Sequence, residues 1–328
     1  MPVATDEVYA RVSIQGEDYR IVAGGSDDSN GGGSSSETGL SYVTDRYNTA
    51  AKLSTTVLSE TEIGESIPVE VSIRDTTLFT GTIRNSKEST NARVRVEAYD
   101  AVADLKRTTL TRSYDRAHPE KIVADTLETA GVTGDVDLPR DRLSMDLDDE
   151  RCDKVLGKIT RMMDAAWWTT EDDVVVVTQN VTANTDAHDL QYIRDASPGK
   201  RTPAYQSVRV TGSSAVSRRG IGARHMLSSQ PLVATAGEGE PEFHFRDNDI
   251  QSQRQAENVA KSLYKRLQEQ QKGGWVEVVG REEIRPFDTV QLPATLGGET
   301  YLVRAVEQTI DGNDGFVTRL TLGGLIEA

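Results

Sequence analysis

The strongest constraint on the fold is a set of short alternating runs that occurs twice, once near each end of the chain. IPVEVSI (Ile67 to Ile73), LFTGTIR (Leu78 to Arg84) and ARVRVEA (Ala92 to Ala98) carry apolar residues at alternate positions, the period at which successive side chains leave opposite faces of a strand. They are separated by the turn-rich RDTT and NSKESTN and so predict a three-strand meander. TVQLP (Thr289 to Pro293), YLVRAVEQTI (Tyr301 to Ile310) and FVTRLTLGG (Phe316 to Gly324) follow the same order at similar spacing, with LGGE and DGNDG as turns. Either two unrelated meanders are alike by chance, or one small β module is present twice.

The region between the meanders reads differently. Asp100 stands where an N-cap would serve the short helix AVADLKR. HPEKIVADTLETAG spaces Ile122, Val123, Thr126, Leu127 and Ala130 at helical intervals, with Pro119 in the first turn and Gly131 as the stop. ERCDKVLGKITRMMDAA predicts a second helix with Cys152, Val155, Leu156, Ile159 and Met162/Met163 on one face, ending in Trp167-Trp168, and DVVVVTQ predicts a buried strand. The polar stretch Thr182 to Pro203 reads as a linker. Beyond it, SVRVTG restarts β structure, and a long amphipathic helix over 249–272 repeats Ala256, Val259, Ala260, Leu263, Tyr264 and Leu267 before WVEVVG. Near the N-terminus, Val8 to Val22 reads as a strand and Leu40 to Leu58 as a strand region, while Gly24 to Gly39 has no apolar residue and reads as a flexible surface loop. The expected fold is therefore α+β and β-rich: two small antiparallel β-barrel modules, 1–111 and 203–328, separated by an α/β insert domain, 112–202, with helix 249–272 assigned to the second module.

Composition limits the function. Fifty-two Asp and Glu against 37 Lys and Arg leave a net charge of −15, which repels a phosphate backbone and disfavours nonspecific nucleic-acid binding. Only ten of the 37 bases are lysine. This matches the usage of salt-loving archaea, whose carboxylate surfaces are screened by concentrated salt; a GC-rich genome also favours arginine but leaves the acid excess unexplained. The longest aliphatic run, Val174 to Val177, is far below the ~20 apolar residues of a spanning helix. MPVATDEVYARVSIQG lacks the basic and apolar regions of a secretory signal, and a lone Cys152 can form neither an internal disulfide nor a cysteine-based zinc site.

No catalytic constellation stands out, so no catalytic, cofactor-binding or metal-binding residue is assigned and no cofactor is expected. DGNDG (Asp311 to Gly315) starts like a calcium loop but has Leu322 where the twelfth-position acid belongs. GIGARH (Gly220 to His225) lacks the third glycine of a dinucleotide loop. His118, His188, His225 and His244 show no metal-ligand spacing, and Asp186 and Asp189 flank His188 in a chain where acidic neighbours are common. Asp146, Asp148, Asp149 and Glu150 precede the second helix, whose N-terminal dipole favours anions. Arg218, Arg219 and Arg224 form a local basic patch, better suited to an acidic neighbouring subunit than to DNA. Trp167-Trp168 is expected to supply core packing at the end of its helix.

Taken in order, LFTGTIR with Phe79 and Gly81, VRVEAYDAVADLKR (Val94 to Arg107), the two-helix insert closing on Trp167-Trp168, FHFRDNDIQSQRQAENVAKSLYKRL (Phe243 to Leu267) and REEIRPFDTVQLP carry a resemblance. The sequence resembles the baseplate-hub family of tailed phages: the late-control hub proteins, the hub portion of type VI spike proteins and their counterparts in contractile injection systems. The family usually has Pro-Gly-Asp where this chain has Pro286-Phe287-Asp288, and a non-glycine middle residue predicts a type I rather than a type II turn. The Gly24 to Gly39 insertion is not expected from the family.

The resemblance implies a homotrimer whose six tail-tube-like modules mimic a hexameric ring and join the tail tube protein to a tail tip or spike protein. The tape-measure protein is a further candidate neighbour, and DNA could pass through the lumen without sequence-specific binding. The implied location is the tail baseplate of a virion assembled in the host cytoplasm, with a haloarchaeal virus or injection system as the source implied by composition. Two other readings stay open, a distal-tail or tail-tip adaptor of a noncontractile tail and a tail-associated cell-wall hydrolase.

Overall fold

The computed structural model describes residues 9–22, 40–45, 50–59, 62–88, 93–179, 187–200, 205–213, 232–269, 271–311 and 314–324. The loop Gly24 to Gly39, His225 and the arginines at 218, 219 and 224 lie outside the described residues. The first strands are β1 Tyr9–Ile14, β2 Glu17–Val22, β3 Leu40–Asp45, β4 Lys52–Leu58, β5 Pro68–Ile73, β6 Thr76–Glu88 and β7 Arg93–Tyr99, followed by helix α1 Ala101–Arg107. The middle of the chain forms β8 Thr109–Ala117, α2 Pro119–Ala130, β9 Gly134–Asp137, β10 Leu143–Arg151, α3 Cys152–Met163, β11 Ala166–Thr169 and β12 Val175–Thr178. Then come β13 His188–Asp189, β14 Ile193–Lys200, β15 Ser207–Gly212, β16 Leu232–Gly237, β17 Glu242–Arg246 and α4 Gln253–Glu269. The chain closes with β18 Lys272–Val279, β19 Thr289–Gln291, β20 Thr300–Asp311 and β21 Gly315–Gly323.

The period-2 runs are strands and their apolar sets face inward. Val69, Val71 and Ile73 of β5 and Val94, Val96 and Ala98 of β7 are buried with Phe79 and Ile83 of β6 in one core. Val276, Val278, Val303, Val306, Leu320 and Leu322 form the equivalent core at the other end. The α+β, β-rich class is as expected, and the two strand sets are also continuous. One thirteen-stranded sheet runs β14-β18-β21-β20-β3-β4-β7-β6-β5-β1-β2, with β19 on β20 and β13 on β19. The join is antiparallel, from Ala305 opposite Asp45 to Ile310 opposite Leu40, and Ile310 and Phe316 reach into the first core. Gly81 is required by close packing, because a Cβ there would lie 2.6 Å from the Tyr99 carbonyl oxygen and 2.6 Å from the Phe79 ring.

A third core holds α1, α2 and α3 together with Val208 and Val210 of β15, Ala234 of β16, and Ala256, Val259 and Ala260 of α4. Helix 249–272, assigned above to the second module, is thus α4 and packs into the central core. Its buried stripe lies among α3 and β15, and Asn258 Nδ2 donates to the Met162 carbonyl at 2.9 Å. An amphipathic stripe shows that a face is covered, not what covers it. The chain therefore enters this central core twice.

Three local expectations are corrected. Thr182 to Pro203 is no linker throughout: β13 and β14 lie within it, and β14 pairs with β18 from Ile193 to Lys200. The second helix ends at Met163, capped by Asp164 in the left-handed conformation, so Trp167 and Trp168 are on β11 rather than at a helix end. Asp146, Asp148, Asp149 and Glu150 lie on β10, and Arg151 takes the N-cap position without a side-chain capping bond. By contrast, Asp100 caps α1 by accepting from the Val102 N–H at 3.2 Å, and Gly131 ends α2 at φ 69°.

Candidate functional site

Among the described residues, those examined above for chemistry are not brought together. His118 precedes α2, His188 Nε2 is 3.3 Å from an Asp288 oxygen, and the exposed His244 is 3.2 Å from Glu242. Among the described residues no group of three or more His, Cys, Asp or Glu side chains is arranged to hold a metal ion. Cys152 is buried at the start of α3, where desolvation pushes its thiol pKa up. Asp146 accepts from Ser113 on the neighbouring strand. Trp167 is in the central core, as expected for core packing, whereas Trp168 reaches the far end of the chain.

Two other features of the chain can act in assembly. The first is an open sheet edge. Among the described residues β14 pairs with β18 alone and β2 with β1 alone, so the long sheet ends in two strands with one unpaired backbone side each. Beside β14 stand the two large apolar side chains most exposed among the described residues, Tyr192 at 80% and Val279 at 53%. They are held together because the Val279 N–H donates to the Tyr192 carbonyl at 3.3 Å. Arg194 of the same edge pairs with Asp314 at 3.0 Å. This edge is hidden in the sequence because IRDASPGK has neither alternation nor β-rich composition.

The second feature is a junction built on residues 282–288. Arg74 Nη1 pairs with Glu282 at 2.6 Å, and Arg285 donates both to the Glu171 carboxylate and to the Thr77 carbonyl. One guanidinium thus links the start of β6, the β11–β12 turn and the loop before β19, using the several fixed donors that suit arginine to such a place. Phe287 packs on Trp168 with ring centroids 4.8 Å apart. The turn expected to be type I has Phe287 at φ 81°, with the Asp288 N–H donating to the Arg285 carbonyl at 3.2 Å. A left-handed third residue is the type II arrangement. The backbone is held there by the Phe287 N–H bond to the Val303 carbonyl at 2.9 Å and by the ring contact, against the steric preference of a non-glycine residue.

Known structures resolve what this architecture is. A prophage MuSo2 43 kDa tail protein from Shewanella oneidensis superposes with a TM-score of 0.71 at 10% identity, covering 96% of this chain and 98% of the other. The chain has the fold of this tail protein. A tail protein from Neisseria meningitidis gives the same TM-score at 12% identity, over 97% of this chain and 96% of its own. A type VI secretion system component of E. coli, itself described as similar to the T4 tail proteins gp27 and gp5, gives 0.61 at 10% identity over 96% and 77%. No family model and no curated protein matches the sequence. The shared fold survives at this low identity because alternation and close backbone approach, rather than particular side chains, specify it.

Proposed function

We propose that the chain is a structural hub of a viral tail or related injection machine. It forms a homotrimeric ring of pseudo-sixfold outline that joins the hexameric tail tube to a threefold tip or spike, and it carries out no catalysis. The observation that carries this reading is the continuous sheet: two strand units joined edge to edge within one chain, which among the described residues ends in strands paired on one side only. The internal β3–β20 join offers a pattern for a similar join between chains. Contacts between unlike edges propagate head to tail and stop only when the ring closes, which three two-module chains achieve while presenting six similar units. The fold shared with tail proteins supports the same reading, as do the exposed Tyr192 and Val279 at the β14 edge. Antibody or gold labelling of intact parent particles should mark the tube end nearest the tip. Label along the whole tube, or on the capsid alone, would overturn the assignment.

The acid excess supports a host of concentrated salt. Repulsion among the charges behind the net −15 is screened within ~3 Å at 1 M salt but extends to ~30 Å at 0.01 M. Dialysis from molar to dilute salt should lower the melting temperature by at least about 5 °C, a shift worth about 3 kcal/mol for a chain of 328 residues. An unchanged melting temperature would remove the halophile inference and leave the hub reading intact.

A further inference from the structure

We propose that the β11–β12 turn, Thr170 to Asp173, is a proton-controlled pin that fastens the start of α1 to the loop before β19, held in place by the Asp100 and Asp173 carboxyl groups. This inference is independent of the trimer reading. The turn closes on itself, with the Asp173 N–H donating to the Thr170 carbonyl at 3.1 Å and the Thr170 N–H donating to the Val174 carbonyl at 2.9 Å. Asp173 is left-handed at φ 61°, a conformation a short polar side chain tolerates. From there its carboxylate accepts the Ala101 N–H at 2.6 Å, one residue before the Val102 N–H that Asp100 accepts. Two carboxyl groups from distant parts of the chain thus share consecutive donors at one buried seam. On the other side of the same turn, Glu171 accepts from Arg285, and Trp168 of β11 meets Phe287. The turn therefore touches the start of α1 on one side and the loop before β19 on the other.

Two like charges cannot share such a seam at little cost. Burial is the main cause that raises the Asp100 carboxyl to about 7, with the Ala51 and Val102 backbone N–H groups and the Thr169 hydroxyl favouring the charged form and Asp173 opposing it. Burial likewise raises Asp173 to about 6, with the Ala101 N–H and Arg84 lowering it and Asp104 raising it. Arg84 is engaged by Asp104, so its charge offsets little of the pair's repulsion. A solvated aspartate has the ordinary value of 3.8. The pinned state therefore holds protons more tightly than the open one, its advantage is full below about 4, and it falls away as pH rises through about 7.

Hydrogen exchange of the full-length chain in constant molar salt, read on peptides covering 100–105 and 166–178 and corrected for intrinsic rates, tests the pin. Protection at these peptides should be at least about tenfold lower at pH 8 than at pH 5.5, while peptides from β20 and β21 change little. Asp173→Asn keeps an acceptor and tolerates the left-handed backbone, and it should reduce the pH ratio by at least half. The Asp100→Asn/Asp173→Asn double variant should abolish it. Equal protection at the two pH values in the wild type would overturn the proposal, as would a wild-type ratio in Asp173→Asn, which does not depend on the more deeply buried Asp100 variant folding.

Discussion

Replacing Val303 by aspartate is expected to leave no folded chain in concentrated salt, and Val94→Asp is expected to do the same from the other end. Val303 is 0% exposed in the second core and Val94 is 2% exposed in the first. Each substitution removes a buried aliphatic side chain, worth about 1.5–3 kcal/mol, and places a carboxylate where no polar partner replaces water, at a further cost of several kcal/mol. The sum reaches the ~5–15 kcal/mol that is the whole stability of an ordinary domain. Because β3 and β20 join the two sheet halves, damage to one should propagate to the other. Circular dichroism and a denaturant titration check this. Val279→Asp is the internal control: at 53% exposure it should shift monomer stability by no more than about 0.5 kcal/mol. A cooperative unfolding transition for Val303→Asp within about 2 kcal/mol of wild type would mean that the second core is not the one described.

The second large effect concerns assembly rather than folding. Tyr192→Asp combined with Val279→Asp should give a folded protein that does not form the proposed ring. Both side chains are largely exposed in the single chain, so the fold does not need them. Tyr192 precedes β14 and Val279 ends the neighbouring β18, so a subunit laid over this corner of the sheet would bury both, and two carboxylates there face desolvation as well as the acidic surface of a chain with net charge −15. Exposed aromatic anchors of this kind often contribute 2 kcal/mol or more to an interface, so the dissociation constant should rise by at least about 30-fold. Sedimentation velocity in molar salt separates the outcomes. Folded monomers support the β14 edge as a subunit contact, and an unchanged oligomer excludes it.

Much of the fold was legible because hydrophobic period picks out its strands. β5 and β7 bury every second residue, whereas β6, β20 and β21 keep that period over only part of their length, with Leu78 and Phe79, Tyr301 to Val303 and Phe316 to Thr318 buried in succession. The caps of α1 and α2 were legible for a related reason, since Asp100 and Gly131 act within one turn of their own chain. What was not legible depends on distant partners. α4 showed its apolar stripe, but nothing local tells that the stripe meets α3 and β15 instead of the last strands. β14 carries Pro198 and Gly199 and is a strand only because β18 offers it a ladder. The helix before Trp167 read too long because Ala165 and Ala166 are good helix formers, while Asp164 turns left-handed and ends it. Phe287 defeated turn chemistry for the same reason, its backbone being set by Val303 and its ring by Trp168. The exposed apolar pair Tyr192 and Val279 was not legible, because exposure of an apolar residue is a property of the folded surface and not of its neighbours in sequence.

The central claim is that three chains close into one ring of six modules. Two-dimensional class averages of the purified full-length protein in molar salt, with its mass measured on the same sample by light scattering, test it most directly. The expected result is a threefold ring with six lobes at three times the monomer mass. A monomer or dimer with no ring, in the same salt and with none at the tail end of the parent particle, would contradict it.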